Sequence, residues 1–110
     1  MSGWIGVDLD GTLARYDGWQ GIDHVGEPIA PMVERVRLWL AKDQKVKIFT
    51  ARVSAESERE AVVAAIHRWL REQGLPALEV TNVKDFGMIE CWDDRAVQII
   101  PNTGRRADGG

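Results

Sequence analysis

The chain has 110 residues, 45% of them hydrophobic and 28% charged, with a formal net charge of −3. This describes a single globular domain with an ordinary core and excludes a disordered chain or a core with a separate substrate domain. The negative balance argues against a nucleic-acid binder that works by broad phosphate neutralisation. The lone cysteine, Cys91, excludes an intrachain disulfide and a cysteine-rich zinc site.

Trp4 to Leu9 is a short apolar run that ends in carboxylates and a Gly-Thr pair, the pattern of a buried strand entering a loop. Residues 14–28 hold three glycines, a proline and few apolar positions, which predicts a long loop or small hairpin. A helix is expected over Pro31 to Lys42, with Val33, Val36 and Leu40 on one face, joined by Met32 and Trp39. Val46 to Phe49 reads as the second strand, with Thr50 and Arg52 at its end. Ser54 is placed to cap a second helix whose buried stripe is Val62, Ile66, Trp69 and Leu70. Gly74 and Pro76 stop that helix.

Leu78–Thr81, Met88–Trp92 and Val97–Ile100 are further strand candidates. About six residues separate the first two, short of the dozen that a parallel crossover normally needs. One of the pair is therefore expected to be an edge fragment, an antiparallel strand or no strand. Residues 1–101 form the domain, and 102–110, polar and glycine-rich, are expected to be a flexible tail. The alternation of strands and helices predicts an α/β fold with a mostly parallel sheet flanked by helices. With no apolar run of about 20 residues and no basic-then-apolar leader, the expectation is a cytoplasmic protein without a membrane partner. The oligomeric state stays open.

Ligands of parallel sheets bind beyond the carboxyl ends of the strands, and the notable polar residues fall there. Asp8 and Asp10 follow the first strand, Thr50 and Arg52 the second, Lys84 the third, and Asp93 and Asp94 the fourth. In Asp8-Leu9-Asp10-Gly11-Thr12, carboxylates two residues apart turn toward one site while Leu9 turns to the core, and Gly11 allows a sharp bend. Four converging carboxylates repel unless a hard cation joins them, and an all-oxygen set favours Mg²⁺ over zinc. Asp8 could then attack a phosphorus atom, with Asp10 protonating the departing alkoxide. Thr50 and Lys84 would bind the transferring phosphoryl group.

VDLDGTLA, IFTAR, the lysine of TNVKD and WDDRAV resemble, in order, the four motifs of the haloacid dehalogenase-like (HAD) phosphatases over Val7 to Val97. The resemblance implies a Rossmann-like core and phosphoester hydrolysis through an aspartyl phosphate on Asp8. It also implies Mg²⁺ held by Asp8, the main-chain carbonyl of Asp10 and an aspartate of the Asp93-Asp94 pair. Phosphate would lie against Thr50 and Lys84. Gly11, Thr12 and Arg52 read as substrate-binding, Arg52 being the best placed of Arg52, Arg15 and Arg95 to touch the leaving group. The positions where larger members insert a cap are only a loop and one helix, so the chain resembles the capless type, and the helix that usually precedes the fourth motif is missing. Capless members, such as the 3′-phosphatase domains of polynucleotide kinases, act on large or exposed substrates or use a neighbouring subunit as lid. Nucleotide or nucleic-acid terminal phosphates are therefore the leading substrates, with a sugar phosphate second.

Two other classes share part of this pattern. A signalling receiver domain shares the length and residue types, but its acidic pair comes early and its accepting aspartate mid-chain, the reverse of the order here. A catalytically silent binding module would keep the fold, and turnover of a generic phosphate ester would separate it from an enzyme. Trp19 and His24 of the long loop could meet a base or sugar, or pack the loop onto the body. His67 is expected to be solvated, and Cys91 to be a small hydrophobe on a buried strand.

Overall fold

The structure is a computed structural model and describes residues 3–110. Four strands form one all-parallel sheet in the order β3-β2-β1-β4: β1 Trp4–Val7, β2 Lys45–Phe49, β3 Val80–Thr81 and β4 Met88–Trp92. Helix α1 (Ala30–Ala41) joins β1 to β2, and α2 (Arg59–Glu72) joins β2 to β3. This is the α/β, Rossmann-like arrangement expected from the alternating pattern, and no cap domain stands among the described residues.

Both crossovers step the same way along the sheet, so right-handed connections put α1 and α2 on the same face. The core confirms it. Ile5, Val7, Val46, Ile48 and Val80 share one buried cluster with Met32, Val33 and Val36 of α1 and Val62, Ile66, Trp69 and Leu70 of α2. Fully burying each large side chain is worth about 1.5–3 kcal/mol, so this layer supplies most of the driving force for folding.

The alternate residues of β1 and β2 point to the other face. Trp4 and Lys47 meet there, with the Lys47 Nζ 4.5 Å from the indole centroid and 3.2 Å from Glu79. A Cβ on Gly6 would sit 2.7 Å from the Met88 Cε, so glycine at that position makes room for this second layer. Residues 82–87 cross over it: the Trp4 indole donates to Asp85 at 2.8 Å, and the Trp4 amide donates to the Gly87 carbonyl at 2.7 Å.

This crossing resolves the short spacing between the third and fourth strands. Both are parallel, and each is an edge on its own side of the sheet. The three strand spacings between them, about 14 Å, lie within reach of six extended residues at roughly 3.3 Å each. No helix intervenes, because no residues remain to make one. As an edge, β4 leaves Cys91 exposed, which corrects the buried strand expected for it.

Three other expectations change. Ser54 does not cap α2; its hydroxyl donates to the Ala51 carbonyl inside a 3-10 turn, Ala51–Ser54, and Thr50 caps that turn by accepting from the Arg52 amide. His67 is not solvated, since its Nε2 lies 2.8 Å from the Leu78 carbonyl oxygen. Val97–Ile100 is not a strand. Only Ile99 makes a bridge, antiparallel, to Arg106, with backbone bonds from Ile100 to Arg105 and from Ala107 to Gln98.

The 14–28 loop is a pinched hairpin. Ala14 bridges Pro28, and the Arg15 amide donates to Glu27 at 2.8 Å. A Cβ on Gly26 would run into the Arg15 carbonyl, so the pinch requires glycine. The Trp69 indole of α2 donates to the Gly26 carbonyl at 2.9 Å, and Ile22 and Val25 pack on the core.

Candidate active site

The carboxyl ends of β1, β2 and β4 open into one cleft of about 540 Å³. Asp8, Asp10, Thr50, Arg52, Asp93 and Asp94 line it. The parallel register carries each of them to the same edge: Val7 pairs with Ile48 and with Trp92, so the residues that follow these strands emerge together. The Asp8 amide continues the ladder by donating to the Trp92 carbonyl at 2.9 Å.

After Asp8 the chain turns at once. The amides of Leu13 and Ala14 return to the Leu9 carbonyl at 3.0 and 2.9 Å, and Gly11 takes a left-handed φ of +90°. A Cβ there would lie 2.6 Å from the Asp94 carboxylate. Thr12 ties the turn to the end of β4: its hydroxyl accepts from the Asp94 amide at 3.0 Å and stands 3.3 Å from Asp94 Oδ1, to which it donates. Gly11 and Thr12 thus set the distance between the first and last acidic segments.

Asp8, Asp93 and Asp94 each offer a carboxylate oxygen, all within 4.8 Å of one another. Among the described residues, none of the three forms an ion pair with a lysine or arginine. The consequence falls on Asp8, whose pKa is pushed from the ordinary 3.8 up to about 7. Burial is the largest cause, followed by its hydrogen bond with Asp94 and the charges of Asp93 and Asp94. Three oxygen donors with uncompensated negative charge suit a hard divalent cation. Asp93 and Asp94 belong to the cluster equally, and the Asp10 carboxylate stands outside it.

Asp10 is instead held by Arg52, whose Nε and Nη2 donate to its two oxygens at 2.7 and 2.8 Å. The arginine side chain is only 6% exposed, and its Nη1 is buried with no hydrogen-bond partner among the described residues. Trp19 covers it, with the Arg52 Cζ 4.9 Å from the indole centroid. Thr50 is buried, and its hydroxyl oxygen accepts from the Arg52 amide at 3.1 Å. That leaves the hydroxyl proton free to donate into the cleft.

Lys84 stays on the exposed crossing segment and does not line the cleft. Its charge is felt at Cys91, where it opposes the upward push that burial, Asp93 and Asp8 exert on the thiol. The cleft also takes in Tyr16, Trp19, Phe49, Asn82 and Arg95. Asn82 directly follows β3, so the strand-end rule could have found it. Tyr16 carried no sequence signal beyond its place in a long loop.

No protein-family model matches the chain, and no curated protein matches it. A solved structure, that of a conserved protein from Bacteroides thetaiotaomicron, resembles it with a TM-score of 0.65 at 24% identity, over 93% of this chain and 84% of that one. At that identity the likeness concerns the fold.

Proposed function

We propose that this protein is a Mg²⁺-dependent phosphomonoester hydrolase of the haloacid dehalogenase-like kind. The observation that carries the reading is the convergence of Asp8, Asp93 and Asp94 within 4.8 Å, beside Thr50 and the Asp10–Arg52 pair, at the carboxyl edge of a parallel sheet. Bound to Asp8, Asp93 and Asp94, a magnesium ion would neutralise the cluster and polarise a phosphoryl oxygen.

Ionised Asp8 attacks phosphorus through a carboxylate oxygen. The bond from phosphorus to the ester oxygen breaks, leaving an aspartyl phosphate and an alkoxide. Asp10 protonates that alkoxide, then takes a proton from the water that cleaves the acyl phosphate, which frees Asp8 and inorganic phosphate. Arg52 occupies one lone pair on each Asp10 oxygen and leaves a second on each for the proton in transit. The Thr50 hydroxyl donates to a phosphoryl oxygen. The open, capless cleft favours nucleotide or nucleic-acid terminal phosphates, with small sugar phosphates second.

Phosphate release from a panel of esters, with Mg²⁺ and with EDTA, tests the reading. Release that needs Mg²⁺ and disappears in Asp8→Asn supports it. A purified, folded protein that releases no phosphate from any ester refutes it in favour of a binding module.

A further inference from the structure

The long loop is anchored without its most exposed aromatic residues. The Ala14–Pro28 bridge, the Trp69–Gly26 hydrogen bond, the apolar contacts of Ile22 and Val25, and the Asp23–Arg68 pair at 3.5 Å hold it in place. Trp19 and Tyr16 take no part in that anchoring and remain 57% and 45% exposed, yet both line the cleft that contains Asp8. Their exposed aromatic surface forgoes the gain that burial would give and leaves a flat apolar face open to the cleft.

Their position relative to the chemistry is specific. Arg52 grips Asp10 on one side and lies beneath the Trp19 ring on the other. The indole centroid is therefore within about 9 Å of the Asp10 carboxylate. In the proposed reaction Asp10 touches the ester oxygen, so the Trp19 ring is within stacking reach of the base of a nucleoside monophosphate. The arginine fixes the platform from below by a cation–π contact, and Asn82, after β3, lines the same cleft and carries both a donor and an acceptor suited to a base edge.

We propose that Trp19, with Tyr16 beside it, is the specificity-determining platform of this cleft, and that the preferred leaving group is a nucleoside stacked on it. This rests on the phosphatase reading and adds to it the residues that choose the substrate. A second cavity of about 330 Å³ shares Asp10, Arg52 and Tyr16 with this cleft and is lined further by Arg15, Gln20 and His24. It would suit a polyhydroxylated leaving group and is the competing location.

The test compares adenosine 5′-monophosphate with ribose 5-phosphate, which differ by the base alone. Base stacking on an aromatic side chain predicts a preference of roughly 10-fold or more in kcat/KM for the nucleotide. Trp19→Ala should erase the preference, raising KM for the nucleotide roughly 10-fold more than for ribose 5-phosphate, while Trp19→Phe keeps most of it. Equal loss on both esters overturns the proposal, because Trp19 would then act only by covering Arg52. Loss of the preference in His24→Ala but not in Trp19→Ala also overturns it, placing the leaving group in the second cavity. Binding is read apart from turnover by calorimetry on Asp8→Asn with Mg²⁺: roughly 10-fold tighter nucleotide binding, abolished by adding Trp19→Ala, supports the platform, and equal affinities overturn it. If the wild-type protein hydrolyses neither these esters nor any other of the panel, the phosphatase reading fails while this binding comparison still decides the platform.

Discussion

Asp8→Asn is expected to raise the melting temperature of the metal-free protein at pH 8, because asparagine lacks the charge that the cluster repels. A carboxyl whose pKa rises from 3.8 to about 7 on folding binds its proton more tightly in the folded chain. Its effect on stability is therefore absent below about pH 4, accumulates as a penalty as pH rises, and is complete above 7. Unscreened, such a shift corresponds to about 4 kcal/mol; Asp8 is partly exposed, so screening reduces this to about 1–2 kcal/mol. At about 4–8 °C per kcal/mol, the variant should melt some 5–10 °C above wild type at pH 8, with more than half of the gain gone at pH 5. Mg²⁺ should narrow the gap at pH 8 by stabilising wild type more than the variant, and do little at pH 5. Thermal denaturation followed by circular dichroism at both pH values, with EDTA and with Mg²⁺, measures all four quantities. A variant no more stable than wild type at pH 8, or a gain that fails to shrink toward pH 5, would refute the picture of an uncompensated acidic cluster.

Arg52→Lys keeps a positive charge but loses the two-pronged grip on Asp10; kcat should fall roughly 10–100-fold, the scale of a misplaced catalytic group, and a rate unchanged within twofold would show that Arg52 does not position Asp10. Thr50→Val removes the hydroxyl donor while preserving shape, and kcat/KM should fall by about 10-fold or more, as for one charged hydrogen bond; unaltered kinetics would take Thr50 out of the phosphate site. Gly11→Ala forces a side chain onto a φ of +90° and toward the Asp94 carboxylate, so it should cost about 1–2 kcal/mol of stability and weaken Mg²⁺ binding measured by calorimetry. Wild-type Mg²⁺ affinity in that variant would mean that Asp94 is not a ligand.

The strands and their edge are legible in the sequence because the signal is local. An apolar run that stops at a carboxylate marks both a buried strand and its carboxyl end, so Asp8, Thr50 and the Asp93-Asp94 pair can be placed at one edge before any coordinates exist. Pairings between distant segments leave no such trace. Arg52 gripping Asp10, Thr12 binding Asp94 and Trp69 holding Gly26 link residues 42, 82 and 43 apart in the chain, and each depends on a register that only the folded sheet sets. Local periodicity also misleads at the boundaries of the sheet. Val97–Ile100 has the composition of a strand but finds no free ladder, and Cys91 sits in an apolar stretch whose outer side has no neighbour.

Absence of the last crossover helix links these observations. A helix between β3 and β4 would have covered the second sheet face and brought the segment carrying Lys84 in from the connection's start. Here the connection spends its six residues on distance alone, so Trp4, Lys47 and Asp85 must satisfy one another on that face and Lys84 remains exposed. Arg52, by contrast, lies in the turn after β2, whose length the shortened connection does not affect, and it is the buried cation nearest the reacting groups. Its unpartnered Nη1 beneath Trp19 is a polar group whose burial costs about 1–3 kcal/mol. That cost is borne where Arg52 must at once hold Asp10 and support the Trp19 ring.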